Sequence, residues 1–449
     1  MAAYGDFTVT ASGSSALEGL RISFNATTTA VTSPSNTKIG YISFVTGTAT
    51  GVASVGRVIF NASAIWALGG GDAYVDAVYS ASGGTPGITG GVLYVTPGAS
   101  FQAIDTSGFT FNGTSIVIQN SANACAIAYS VSSSNAPNLT VNTTQTVDIS
   151  ASAVKNLTFN AGTLSTVPSY LYVYGDLYFG ASVTISATSC IFKVQKVVGS
   201  PTVTRSVEMH PTVSSSYGNT YGIEVSAGAD TIQFVGTNFC SSTNPWGYII
   251  ASTPTTFTAT TVYSEWISSS STISVSGVTT LYSSHIDLGV SATLGSCAFH
   301  LKQFTRATYA CAFYGSGLSY ASLTLDSNVA NSVYGNNTFG NLTCSTALGA
   351  GSGKSLKFDD GSTQTVTGTF TLSGGSASDS VSLTTINGTS AATISKASGT
   401  VNASYSTISY SNATGGATFK APLLTNTDGG NNTGWVFSGG ATGNFFSFF

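Results

Sequence analysis

Carboxylates and imidazoles come first, because glycan cleavage, proton transfer and metal binding all need them close together. Seventeen Asp and Glu and three His are spread over 449 residues. Asp359-Asp360 is the one adjacent carboxylate pair. Glycoside hydrolysis uses two carboxyl groups about 5–10 Å apart, but neighbours on a strand point to opposite faces. Lys357-Phe358-Asp359-Asp360-Gly361 therefore reads as a surface turn. Glu208 and His210 are two residues apart and share a strand face, as do His285 and Asp287. Each pair has the residue types for acid–base work and serves equally well as a solvated pair on an outer face. Asp428 opens the turn Asp428-Gly429-Gly430-Asn431-Asn432 with a single local carboxylate. Calcium takes roughly six to eight oxygens, so the turn reading is preferred. No HExxH, GxSxG, phosphate loop or dinucleotide fingerprint occurs. No catalytic, cofactor-binding or metal-ligating residue is assigned.

The composition describes the elements that would hold such groups. Only 7% of residues are charged while 42% are hydrophobic, against about a quarter charged in ordinary domains. Polarity comes from Ser, Thr, Asn and 51 Gly. Ser and Thr tolerate strands, and Gly and Asn supply turns. The formal net charge is −4 with the basic residues scattered singly, which excludes a duplex nucleic-acid stripe. No apolar run is long enough to cross a membrane as a helix, and no signal peptide is read at Met1-Ala2-Ala3. The six Cys form no CxxC pair and read as small core hydrophobes. The 21 Tyr, 25 Phe and 4 Trp are simplest as core; any on an outer face would suit stacking on sugar rings.

Runs such as Tyr170-Leu171-Tyr172-Val173-Tyr174 alternate polar and apolar residues and break at Gly, Ser or Asn, which is the pattern of short half-buried strands. Thr260-Thr261-Val262-Tyr263-Ser264-Glu265-Trp266-Ile267 is repeated 19 residues on as Thr279-Thr280-Leu281-Tyr282-Ser283-Ser284-His285-Ile286. A period near 20 is one coil of a solenoid. The register predicts Val262 over Leu281, Tyr263 over Tyr282, Trp266 beside His285 and Ile267 over Ile286. The expected fold is all-β: a right-handed parallel β-solenoid (β-helix) of roughly a dozen or more coils over residues 131–437, preceded by an N-terminal β domain, residues 1–130, for attachment or assembly. Residues 438–449 form an aromatic C-terminal tail. Trp435 and Phe437 read as a cap on the solenoid end, and Phe445, Phe446, Phe448 and Phe449 as capping or oligomer contacts, because four exposed aromatics would aggregate.

Residues 356–437 resemble the C-terminal part of phage-encoded β-helical virion proteins. The resemblance lies in Ile394-Ser395-Lys396-Ala397-Ser398-Gly399-Thr400-Val401, in Ser411-Asn412-Ala413-Thr414-Gly415-Gly416-Ala417-Thr418-Phe419, and in Thr427-Asp428-Gly429-Gly430-Asn431-Asn432-Thr433-Gly434-Trp435-Val436-Phe437. It implies a non-enzymatic structural component of a bacteriophage virion, a tail fibre, tail spike or similar appendage made in the host cytoplasm. Its expected partners are further copies of itself (a trimer by the fibre resemblance), other virion proteins and host-surface polysaccharide, with no cofactor, nucleic acid or membrane insertion. The rival readings are a capsid decoration or head-fibre protein, a polysaccharide depolymerase, and a secreted adhesin or filament subunit.

Overall fold

In the computed structural model the chain is nearly all β, with one 3-10 turn, Ser133–Asn135, and no α-helix among the described residues. These run from 2 to 437 except for 4–6, 9–16, 33–37, 51–53, 61–63, 81–84, 98–101, 107–108, 120–122, 188–189, 197–202, 211–213, 216–220, 226–229, 244, 305–309, 316, 348–353 and 423–424. The chain divides into two units, residues 1–233 and 234–449. Each is a parallel β-solenoid, with about 14 turns in all.

In the first unit a buried column passes through Val75, Val95, Ile118, Val141, Phe159, Phe179 and Met209, each in register with the next. Beside it runs Ala73, Leu93, Ile116, Leu139, Leu157, Leu177 and Val207. All fourteen side chains are at most 2% exposed. The alternation of strand side chains puts these positions inside, and stacking removes each apolar edge from water at about 25 cal/mol per Å². Both columns pass residue 130 without interruption. The described strands before residue 130 also pair in parallel, from Leu17–Thr32 onward.

The second unit repeats the arrangement. One column is Phe239, Val262, Leu281, Phe299, Leu323, Leu342 and Phe370. The other is Ile249, Ile267, Ile286, Phe313, Val333 and Phe358. The register expected from the 19-residue repeat is the observed one, including Trp266 opposite His285. All six Cys are buried free thiols. Cys344 takes an interior place between Leu325 and Leu372. Burial pushes the Cys125, Cys297 and Cys344 thiols up to about 12 and Cys311 to about 11, so all four stay protonated at neutral pH.

Polar side chains tie the coils together at their corners. In the first unit Asn156 donates to Asn138 Oδ1 at 2.8 Å, and Asn138 donates to Ser115 Oγ at 3.1 Å. The Asp176 amide donates to Asn156 Oδ1 and the Ser206 amide to Asp176 Oδ1, both at 2.7 Å. Five coils are thus joined by one ladder, each link satisfying a group that the turn would leave open. Further in, Arg205 is 9% and Asp230 3% exposed. Their Nε–Oδ2 distance is 2.7 Å. Arg205 also donates to the Tyr174 carbonyl, and Asp230 Oδ1 accepts the Val203 amide at 3.0 Å.

In the second unit Asp360, in the turn closed by Ser362 N to Asp359 O at 3.1 Å, holds the corner of the next coil. Its carboxylate accepts the amides of Asn387, Thr389 and Ser390 at 2.8–3.1 Å, together with Asn387 Nδ2 and Thr389 Oγ1. These donors hold its pKa well below the usual carboxylate range, the Asn387 and Thr389 amides foremost. Asp360→Ala is expected to speed hydrogen exchange at those three amides while leaving the buried Leu356 and Leu383 amides slow. Unchanged exchange at 387, 389 and 390 would show that the corner holds without the carboxylate.

Candidate functional site

The described outer surface concentrates aromatic and imidazole rings on one face of the second unit. Strands Thr261–Ser269 and Thr280–Asp287 supply its centre. Their inside–outside alternation is broken once, where Ser264 and Glu265, and likewise Ser283 and Ser284, are consecutively buried. Ser264 Oγ donates to the Trp266 carbonyl at 3.0 Å and Ser283 Oγ to the His285 carbonyl at 2.8 Å, fixing the same bend in both coils. Tyr263 and Trp266 therefore both face outward although they are an odd number of positions apart.

Parallel in-register pairing places like positions one rung apart, about 4.8 Å, and the rings stack accordingly. Tyr263 and Tyr282 lie 4.8 Å apart at 4°, and Trp266 and His285 3.4 Å apart at 11°. Tyr282 continues to His300 at 4.5 Å, and His285 to Tyr314 at 4.9 Å. Tyr314 and Tyr334 stack at 4.4 Å and 3°. Lys302 lies 5.5 Å over Tyr282 and 3.5 Å from Asp326. At these spacings no sugar ring fits between neighbours, so the stacked faces are used up inside the ladder; edges and hydroxyls meet solvent. Trp266 is the most open of these rings at 40% exposed.

The candidate acid–base groups are placed as the strand pattern expects, and the structure gives them other work. His285 and Asp287 both face outward, but His285 stacks on Trp266, and Asp287 Oδ1 accepts the Gly289 amide at 3.3 Å. Burial lowers His285 to about 4, so it is neutral near pH 7 and poorly matched to proton transfer there. Glu208 and His210 are half-buried on the outer face; Glu208 is in register with Tyr178, and the His210 amide donates to Phe179 O at 3.0 Å. Asp359 and Asp360 lie in the turn described above. Asp428 Oδ1 accepts the Gly430 amide at 2.9 Å and Asn432 Nδ2 at 2.7 Å, the self-closing turn expected of that segment. Among the described residues no three His, Cys, Asp or Glu side chains are grouped to hold a metal ion, and no helix is long and apolar enough to cross a membrane.

At the last described rung, Trp435 is 9% exposed, meets Phe419 edge-on at 5.1 Å and donates Nε1–H to Ser411 Oγ at 3.0 Å. Phe437 is half-buried on the same strand, in register with Ala421, and Val436 between them is exposed. Phe445, Phe446, Phe448 and Phe449 lie outside the described residues. Comparison with protein-family models, curated proteins and solved structures finds no match to this chain.

His285 gives the second unit an acid limit. The unfolded chain protonates this ring near pH 6.5, the folded chain only near pH 4. Its contribution is complete above about 6.5 and is lost as pH falls toward 4, with about 1–3 kcal/mol at stake. Burial lowers His300 in the same direction. Denaturant midpoints measured from pH 7 to 4.5 are expected to fall less steeply in His285→Phe than in wild type. Equal slopes would remove His285 from the account.

Proposed function

We propose that this chain is a structural component of a bacteriophage virion, a tail fibre, tail spike or similar surface appendage. The supporting observation is the C-terminal segment whose phrases resemble phage β-helical virion proteins. There Val401, Phe419 and Trp435 stack rung over rung, and Ser411, Asn412 and Ala413 pair with Ala392, Thr393 and Ile394. The quoted phrases thus coincide with successive coils. Corner ladders of Asn, Asp and Ser, together with an exterior low in charge, suit a rigid element that packs against copies of itself and other virion proteins. Contact with host-surface polysaccharide would fall to ring edges and hydroxyls, since the ladder occupies the stacked faces.

The test is mass spectrometry of gradient-purified particles together with antibody labelling under the electron microscope. This reading expects the chain at stoichiometric abundance, with label on the appendages. Label spread over the capsid would favour a decoration protein, and absence from the particles would end the virion reading.

A further inference from the structure

Three tyrosine pairs share one geometry. Tyr74 and Tyr94 are register partners whose rings stack at 5.0 Å and 11°. Tyr263 and Tyr282 do so at 4.8 Å and 4°, and Tyr314 and Tyr334 at 4.4 Å and 3°. In each pair the two residues belong to successive coils and are half-buried on the outer face. Near-parallel rings at matching positions of in-register parallel strands are related by about one rung's shift, so the carbon ortho to one hydroxyl lies at about that spacing from its counterpart. Each ring has a solvent-facing edge and needs only rotation about its side-chain bonds to close that gap.

We propose that these three pairs are sites of oxidative dityrosine cross-linking, which would staple successive coils covalently. The oxidant is hydrogen peroxide acting through a peroxidase. Each phenol gives up one electron and one proton and becomes a phenoxyl radical. The two radicals join through a carbon–carbon bond between ortho positions, and the ortho hydrogens move to the oxygens to restore both phenols. The pair loses two hydrogens in total, and the peroxide takes up the two electrons and two protons to become two waters. Fixed proximity favours this coupling over encounter between chains. Tyr314 meets the oxidant as the neutral phenol, because burial first and the Tyr334 hydroxyl second raise its pKa.

The experiment treats the full-length chain at low concentration with peroxidase and limiting peroxide, then maps cross-linked peptides by mass spectrometry. Expected are products lighter by two hydrogens that join Tyr314 to Tyr334, Tyr263 to Tyr282 and Tyr74 to Tyr94, in protein that still migrates as a single chain. Tyr334→Phe keeps the ring and lacks the phenol. It should lose the first cross-link and retain the other two, which also reports that the variant is folded. Chain unfolded in urea should lose this pairing pattern. Absence of dityrosine, cross-links only between chains, or the same pairs at the same yield in urea would each overturn the proposal.

Discussion

Replacing Phe313 by Ala is expected to cost the second unit about 3–5 kcal/mol. Phe313 is fully buried in the column between Ile286 and Val333. Its ring lies 4.8 Å from Tyr320, 5.9 Å from Phe339 and 6.0 Å from Phe299. Removing it opens a cavity that stacked rungs cannot collapse, because each strand is held at fixed spacing by its two neighbours. Phe313→Leu fills most of the space and should lose much less. Equilibrium denaturation, with hydrogen exchange at Ile286, Val333 and Phe358, measures both variants. A loss below about 1 kcal/mol for Phe313→Ala would mean that the column is not a continuous core.

The second large effect lies in the first unit. Asp230→Ala leaves the Arg205 guanidinium buried without its carboxylate, and breaking a buried pair in this way costs about 3–5 kcal/mol. Two further groups lose a partner: the Val203 amide, which donates to Asp230 Oδ1 at 3.0 Å, and Lys196 Nζ, 3.9 Å from the same oxygen. Combining Arg205→Met with Asp230→Leu removes both charges and should recover most of the loss. Recovery in the double variant separates the penalty of an orphaned charge from a general intolerance of change at this site. A double variant as unstable as Asp230→Ala would contradict that explanation.

What was legible in the sequence depended on how regularly the coils are cut. The strands at 261–269 and 280–287 gave away the register because their coils have equal length and the same Ser-fixed bend. Elsewhere the step varies: eighteen residues separate Val141 from Phe159, and thirty separate Phe179 from Met209. Insertions at corners erase a fixed period while leaving the columns intact. In the C-terminal third Leu356, Val366, Leu372, Leu383, Ile394 and Ile408 are all at most 1% exposed. Ile386 and Tyr405 are apolar too but only half-buried, and Tyr405 sits at a corner with φ 45°.

The interior also holds polar residues that no hydropathy pattern would place there. Gln364 and Lys354 are fully buried and Asn337 nearly so. Gln364 accepts from Asn337 at 2.9 Å and donates to the Gly335 carbonyl at 2.7 Å. Lys354 donates to the carbonyls of Leu325 and Ser345 at 3.0 and 2.7 Å. The Asn337, Gly335 and Leu325 partners come from the preceding coil, so that part of the signal exists only once the coils are stacked. Of the candidate site, the stack of Trp266 on His285 was readable from the repeat. The continuation through Tyr314 to Tyr334 was not, since those strands do not share the repeated phrase.

The parallel solenoid, joined to the proposed place in a virion appendage, is what most needs testing. A cryo-EM reconstruction of the assembled particle tests it most directly. The expected density shows rungs about 4.8 Å apart in a tail-associated appendage, with Tyr263 over Tyr282 and Trp266 over His285. Particles whose appendages are built from another chain, or density in which those residues do not stack, would contradict it.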